Sequence, residues 1–471
     1  MSGLVLLTLI VAESSLRLLR VPFEVARKAF HLFAGTVTII EVLRAPSANE
    51  VVVTALLFAV SLPVLIALGV FKVQERSRGY GTVTFALGVA VSTHLYFDRP
   101  EILISALAVL TYGDGLAALA GKALGRRPLR LGPSAKTVEG SLVFITVSAV
   151  CISTVLLLFD ATPPLVAVGV GLVVGFLAGV VEAQCTSDID NGAIPIFVAV
   201  VLEIVLSTDG LERLGVGALI SAAFAGLAIW RSWVTVQAGV LVALIVMMLF
   251  AVGGLAWVAP VSLLLISASL VQRAVRGSFE NPYSKREGPR DLKQIVAKGI
   301  PATVIAFVYA ADPDPQWLIV HLAIVATATA DTFASAIGSL DPAPQIPSLP
   351  WFRPVPKGMS GGISPLGTLA AVLSATVVAS EMYFFVSTPS LSSMGVIAVC
   401  GVTGAMVDSL LGGTVQALYR CNVRGQLTES PRHLGQPCQL VRGIRWMDSA
   451  AVNLSSGVFA GLLAYLLRPG A

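Results

Sequence analysis

The chain has 471 residues, 56% of them hydrophobic and only 12% charged, with a formal net charge of +4. A soluble chain of this size carries about a quarter charged residues, so the composition excludes a soluble globular protein and reads as a polytopic membrane protein. Five cysteines without paired spacing and four histidines that do not cluster with them argue against a zinc site or a disulfide framework. The basic loops are too short and dispersed for a nucleic-acid partner.

Apolar stretches of the length a membrane helix needs, about 17–25 residues, recur near 3–19, 29–43, 51–70, 79–97, 101–121, 139–159, 163–181, 192–207, 214–230, 233–251, 254–272, 294–311, 317–338, 361–386, 394–416 and 446–467. The length rule predicts about sixteen spans. They are expected to be helices, because unpaired strands cannot satisfy their backbone in lipid. The fold class is therefore all-α. The first run is interrupted by Glu13 and Arg17 and suits a half-span or interfacial helix. It lacks the basic n-region and cleavage site of a secretory signal.

Charge alternates between loops. One set holds Arg20, Arg27, Lys28, Lys72, Arg76, Lys122, Arg126, Arg127, Arg130 and Lys136, and later Arg273, Lys285, Arg290, Lys293, Lys298, Arg353, Lys357, Arg420, Arg432 and Arg445. The opposite set holds Asp160, Asp312, Asp314 and Glu381 and is poor in Lys and Arg. The positive-inside rule predicts that the first set faces the cytoplasm, where nucleotides are available. The membrane expected is the plasma membrane.

The sequence repeats itself. Asp114-Gly115-Leu116-Ala117 leads to Gly121 and then to Lys136-Thr137-Val138-Glu139-Gly140-Ser141. Asp331-Thr332-Phe333-Ala334 leads to Gly338 and then to Lys357-Gly358-Met359-Ser360-Gly361-Gly362. The spacing from Gly175 to Glu182 equals that from Gly401 to Asp408, and each places a carboxylate late in an apolar run. An internal repeat predicts two related helical-bundle halves. The Trp230-Arg231-Ser232-Trp233 turn is the expected boundary, giving membrane domains 1–230 and 231–471.

A carboxylate in a membrane helix is costly without a partner and is a functional candidate by default. Asp114 lies between Gly113 and Gly115, where small residues let helices and a ligand approach. A bare carboxylate in such a place suits Mg²⁺ (or Mn²⁺) that keeps waters and also binds phosphate oxygens. Lys136 is a point charge for phosphate, with a snorkelling lysine as the plainer reading. Thr137, Gly140 and Ser141 open the next helix and offer donors to an anion, or simply cap it. Arg27, Lys28 and His31 share one helix face, and His31 is a candidate base or phosphate ligand. Glu182, Asp188, Asp190 and Asn191 frame a short loop, as a second metal contact or a hydroxyl-activating base. In the second half Asp331, Asp408, Gln416, Asp448 and Asn453 play the corresponding parts, and Lys285, Arg290 and Gln294 are polar candidates before the helix.

At these residues the first half resembles the polyprenol kinase family, which includes phytol kinase and dolichol kinase. The resemblance is carried by Arg27-Lys28, His31, Gly35, Gly113-Asp114-Gly115-Leu116-Ala117, Lys136-Thr137-Val138-Glu139-Gly140-Ser141, Glu182, Asp190-Asn191 and Pro195. The same pattern is similar to that of CTP-using CDP-diacylglycerol synthases. The second half resembles the phytyl-phosphate kinase family. It does so at Lys285-Arg286, Arg290-Asp291, Gln294, Asp331-Thr332-Phe333-Ala334, Lys357-Gly358-Met359-Ser360-Gly361-Gly362, Asp408-Ser409, Gln416, Asp448 and Asn453. Ala336 and Ala450 depart from it, standing where that family usually has acidic residues.

The resemblance implies a bifunctional enzyme. It would phosphorylate a long-chain isoprenoid alcohol to its monophosphate and then to its diphosphate, with CTP or another nucleoside triphosphate as donor. Asp114, Lys136, Glu182, Asp190 and His31 would be catalytic in the first half, and Asp331, Lys357 and Asp408 in the second. Metal would sit at Asp114, Glu182, Asp331 and Asp408. Nucleotide contacts would come from Arg27, Lys28, Thr137, Glu139, Gly140, Ser141, Asn191, Lys285, Arg290, Gly358, Ser360, Gly361, Gln416, Asp448 and Asn453. The alternatives are a cytidylyltransferase making a CDP-lipid and a repeat-built transporter.

Overall fold

A computed structural model of the chain describes residues 23–68, 80–186, 188–275, 288–343, 345–351, 353–386, 389–433 and 435–468. The expected first run at 3–19 and the candidate Lys285 lie outside the described residues. Every other expected apolar run coincides with a helix. Among the described residues twelve helices are long and apolar enough to cross a membrane. The expected count of sixteen is not confirmed: among the described residues Phe23–Arg44, Tyr80–Tyr96 and Asp190–Leu206 are helices too charged or too short to join the twelve. The chain is mostly helical, and its described strands are short, forming three two-stranded hairpins and one three-stranded sheet between helices.

The chain divides into two compact units, Met1–Leu211 and Glu212–Ala471. The division falls one helix before the Trp230–Trp233 turn and gives most of the Gly210–Trp230 helix to the second unit.

In the first unit the elements are α1 (Phe23–Arg44), α2 (Ala48–Ala67), α3 (Tyr80–Tyr96) and α4, which runs Pro100–Leu124 with a π-helical turn at Val109–Asp114. The hairpin β1–β2 (Pro128–Leu129, Lys136–Thr137) follows, then α5 (Val138–Leu158), α6 (Pro164–Gln184) and α7 (Asp190–Leu206). Prolines open α4 and α6, where a missing N–H costs nothing. Glycines set how closely helices pack. A Cβ at Gly175 would sit 3.0 Å from Ala149 N and from Ile145 O of α5, so α6 can lie against α5 only with glycine there.

The second unit begins with α8 (Gly210–Trp230), α9 (Val236–Gly253), α10 (Leu255–Val275), α11 (Leu292–Ala311) and α12 (Gln316–Gly338). A hairpin β3–β4 (Gln345–Ser348, Arg353–Pro356) precedes α13 (Pro365–Ser380), a short turn α14 (Met382–Phe385) and α15 (Leu391–Thr414). The strands β5 (Leu418–Arg420), β6 (Leu427–Thr428), β7 (Arg432–His433), β8 (Gln436–Pro437) and β9 (Gln439–Arg442) form a loop module, and α16 (Ser449–Leu467) closes the unit. Helix α12 is its centre: Ala323, Ala326 and Ala330 are fully buried against Ala371, Ala375 and Ile397. In both units large aliphatic side chains such as Leu142, Leu165, Leu219 and Leu373 are exposed, as expected where the surrounding solvent is lipid.

The repeat is structural. A Cβ at Gly121 would meet Thr137 Oγ1 at 3.1 Å, and one at Gly338 would meet Ser364 Oγ at 3.0 Å. Thr137 caps α5 by accepting from Gly140 N, and Ser364 caps α13 by accepting from Gly367 N.

Candidate functional site

The polar core of the first unit is assembled by four helices and one hairpin. Asp114 ends the π turn inside α4, and such turns break helical hydrogen-bond register and recur at functional sites. Lys28 of α1 donates to Asp114 Oδ2 at 2.7 Å, with the two residues 7% and 5% exposed. The approach of α1 requires small partners: a Cβ at Gly115 would stand 2.6 Å from Leu32, and one at Gly35 would overlap Thr111. His31 Nε2 lies 3.1 Å from Leu110 O and 3.5 Å from Asp114 Oδ2. Both neighbours can only accept, so Nε2 carries the proton and Nδ1 is the basic nitrogen.

Lys136 ends the hairpin and reaches inward. Its Nζ bonds Glu182 Oε1 at 2.5 Å, from the last turn of α6, and Asp190 Oδ2 at 3.2 Å, from the first turn of α7. Burial works against the Lys136 ammonium, but Glu182 and Asp190 outweigh it and hold its pKa above the usual lysine value. Asp190 is 1% exposed, and its Oδ1 accepts from Asn191 N. Three carboxylates, two ammonium groups and an imidazole, from Asp114, Glu182, Asp190, Lys28, Lys136 and His31, thus lie together in the first unit.

Other expected contacts serve the frame. Thr137 and Gly140 form the α5 cap. Glu139 accepts from the backbone of Arg126 and Arg127 and pins the hairpin. Ser141 Oγ is buried without a hydrogen-bond partner. Asn191 Nδ2 donates to Gly81 O at 2.9 Å and ties α7 to α3.

A cavity of about 140 Å³ opens beside this cluster. Its lining combines polar groups, among them Arg27, His31, Thr38, Glu41, Asp188 and Asn191, with apolar residues of α1, α2 and α3 such as Phe30, Val51, Ala55, Phe58, Leu62 and Phe85. A lining that mixes apolar and polar groups suits an amphiphile.

The second unit keeps half of this arrangement. Lys298 of α11 donates to Asp331 Oδ2 at 2.8 Å and to Thr332 Oγ1 at 2.6 Å, matching Lys28 and Asp114. Sequence reasoning counted Lys298 only as a loop charge. The signal it held was a lysine inside the apolar run 294–311, where a charge needs a partner. Ser456 lines a cleft of about 10 Å³ with Asp331 and Asn453, and its hydroxyl donates to Asp408 Oδ2 at 3.1 Å. Asp331 lines the cleft, and Asp408 is joined to it through the Ser456 hydroxyl.

The other half differs. Because Ser364 is the α13 cap, Ile363 and not Lys357 occupies the place of Lys136. Lys357 instead donates to Asp341 O at 2.5 Å in the preceding loop. Gln416 follows Asp408 at the spacing by which Asp190 follows Glu182, and it is neutral. The second unit thus lacks one cation and one anion together, which leaves the net charge of the cluster unchanged. Gln416 donates to Ser360 Oγ, Ser360 also bonds Glu429, and Gly361 with φ +90 packs against Gly413. A positive φ here explains the glycine. Gly358 also holds a positive φ in this loop. Arg290 is a tether, bonding Ser269 and Gln272 of α10. Asp448 caps α16 and pairs with Lys293, and Asn453 donates to Ser449 O.

Among the described residues no group of three or more His, Cys, Asp or Glu side chains is placed to hold a metal by itself. The donor set still fits a cation that arrives with phosphate. Glu182 Oε2 is buried with no hydrogen-bond partner, and a hard cation prefers such a carboxylate oxygen. Asp114 and Glu182 would hold it, supplying charge neutralisation for phosphate oxygens.

Fold and site together define an integral membrane protein with polar clusters buried among its helices. The chain belongs to the family described as Integral membrane protein DUF92, whose model matches residues 219–461. It is 31% identical over 144 residues to Protein PGR of Arabidopsis thaliana, covering 28% of this chain and 48% of that one. It is 32% identical over 148 residues to an uncharacterised membrane protein of Methanocaldococcus jannaschii, covering 31% and 58%. It is 30% identical over 200 residues to phytol kinase of Synechocystis, covering 41% and 83%. The chain therefore spans about half the length of the first two of these relatives. No solved structure matches it.

Proposed function

We propose that the first unit phosphorylates a long-chain isoprenoid alcohol, with CTP or another nucleoside triphosphate as donor. The observation that carries this is the placement of the Lys28–Asp114 and Lys136–Glu182–Asp190 ion pairs beside a largely apolar cavity that His31 also lines. The similarity to phytol kinase supports the same substrate class. In this reading the apolar tail lies between α1, α2 and α3, and the hydroxyl reaches His31. The oxygen attacks the terminal phosphorus, its proton passes to His31 Nδ1, and a nucleoside diphosphate leaves. Lys28 and Lys136 exchange a carboxylate for phosphate oxygens. Phosphoryl transfer needs mainly such positioning and charge stabilisation.

The second unit, in the same proposal, phosphorylates the resulting monophosphate at Lys298, Asp331 and Asp408. The monophosphate reaches the second site through the bilayer, where its tail keeps it.

The test is purified protein with Mg²⁺, CTP or ATP, and a panel of prenyl alcohols, with mass detection of products. Mono- and diphosphates with release of nucleoside diphosphate are expected. Pyrophosphate release with a CDP-lipid would replace the kinase by a cytidylyltransferase. Two variants refine it. Ala55→Phe, which fills the cavity wall, should raise the KM of a long prenyl alcohol about tenfold while sparing a short one. Lys298→Ala should slow the second phosphorylation about 100-fold and make monophosphate the main product. Unchanged diphosphate yield would remove Lys298 from that site.

A further inference from the structure

Two of the five cysteines face each other across the loop module of the second unit. Strand β5 lies between β6 and β9, with Tyr419 opposite Leu440 and Arg420 opposite Gln439. Continued one residue past the strand ends, that register sets Cys421 opposite Cys438, and the two thiols are within hydrogen-bonding reach. Cys421 N donates to Gln426 O at 2.8 Å and its carbonyl accepts from Gly425 N at 2.8 Å, so both its backbone groups point toward β6. Cys438 N donates to Pro431 O at 2.9 Å, away from β5. On that continuation the two take the places of a non-hydrogen-bonded antiparallel pair, the kind whose Cα atoms approach to about 4.5 Å with side chains on one face. A disulfide needs Cα atoms about 4.4–6.8 Å apart. The loop spacing of the two cysteines in sequence hides this, because only the strand register brings them together.

We propose that Cys421 and Cys438 are a redox-active dithiol that closes a cross-strand disulfide on reaction with a small-molecule disulfide of the glutathione type. Cys438 is partly exposed and Cys421 is buried. The division of labour follows from that. Cys438 Sγ loses its proton and attacks one sulfur of the small disulfide. The small S–S bond breaks, one small thiol leaves with a proton, and a mixed disulfide forms on Cys438. Cys421 Sγ then attacks the Cys438 sulfur, and the second small thiol leaves. The two cysteines lose two electrons, and the small disulfide gains them as two thiols.

The surroundings favour the second step. The His433 hydrogen bond, with the backbone N–H groups of Arg424 and Val423, pulls the Cys421 thiol down to about 7. A thiol whose pKa lies near ambient pH is a good attacking group. Burial and the neighbouring Cys421 push the Cys438 thiol up. The ring closed between residues 421 and 438 contains Glu429, the partner of Ser360 in the glycine-rich loop. Closing it would hold that contact.

The experiment uses the full chain, purified and folded in detergent, equilibrated over a range of oxidised-to-reduced glutathione ratios. Free thiols are then alkylated and the peptides read by mass spectrometry. The expected product is a Cys421–Cys438 bridged peptide that dithiothreitol reverses, with Cys151, Cys185 and Cys400 recovered as unbridged thiols throughout. Cys421→Ser should trap glutathione on Cys438, and His433→Ala should slow bridge closure about tenfold. Thermal unfolding of each variant controls for folding. Absence of the bridge at every ratio in folded wild-type protein would overturn the proposal. So would one equivalent of zinc that protects Cys421 and Cys438 from alkylation, since the thiols would then serve a metal.

Discussion

Asp114→Asn should lower kcat/KM for alcohol phosphorylation by at least about 100-fold, the loss expected when a preorganised charge is removed from a buried site. Two effects add. The change removes the carboxylate that faces Lys28 and lies near His31. It also leaves the Lys28 ammonium, 7% exposed, without its counter-charge. Phosphorylation of a supplied prenyl monophosphate should continue, because Lys298 and Asp331 form their own pair in the second unit. The two activities are measured separately, with alcohol or monophosphate as substrate. Equal loss of both in a variant with unchanged unfolding temperature would defeat the two-site proposal.

Lys136→Ile should destabilise the protein strongly, and adding Asp190→Gln should restore much of the loss without restoring activity. Removing one partner of a buried ion pair costs about 3–5 kcal/mol. Here the single change strands both Glu182 and Asp190. The double change copies what the second unit does at Ile363 and Gln416, where cation and anion are absent together. Thermal unfolding of both single variants and the double gives the coupling energy, which contact between the residues should make large. Additive losses would mean that the Lys136–Asp190 contact contributes nothing. Recovery of kinase activity in the double variant would show that the Lys136 charge is not needed for phosphate.

Membrane class, helix positions and the twofold repeat were legible in the sequence because each follows from local composition or spacing. Apolar runs of sufficient length must be helical in lipid, and the Asp114 and Asp331 segments match residue for residue in spacing. The carboxylates of the first site were legible for the same reason: a charge in an apolar run stands out. Which charge meets which was not. Lys28 reaches Asp114 only because Gly35 and Gly115 let two helices close, and a π turn rotates Asp114 into place.

Tertiary structure alone decided the pairing in the second unit. Equal motif order suggested that Lys357 stands for Lys136, yet helix caps fix the true alignment, and they put Ile363 there and Lys298 beside Asp331. It also decided that Glu139, Arg290 and Asp448 bind backbone or neighbouring side chains of the frame. Cys421 and Cys438 meet through strand register. Composition and spacing act along the chain, and so they specify which segments enter the membrane and which residues cannot be there idly. Ion pairs, caps and cross-strand contacts act through space, and only the packed helices and paired strands bring their members within reach.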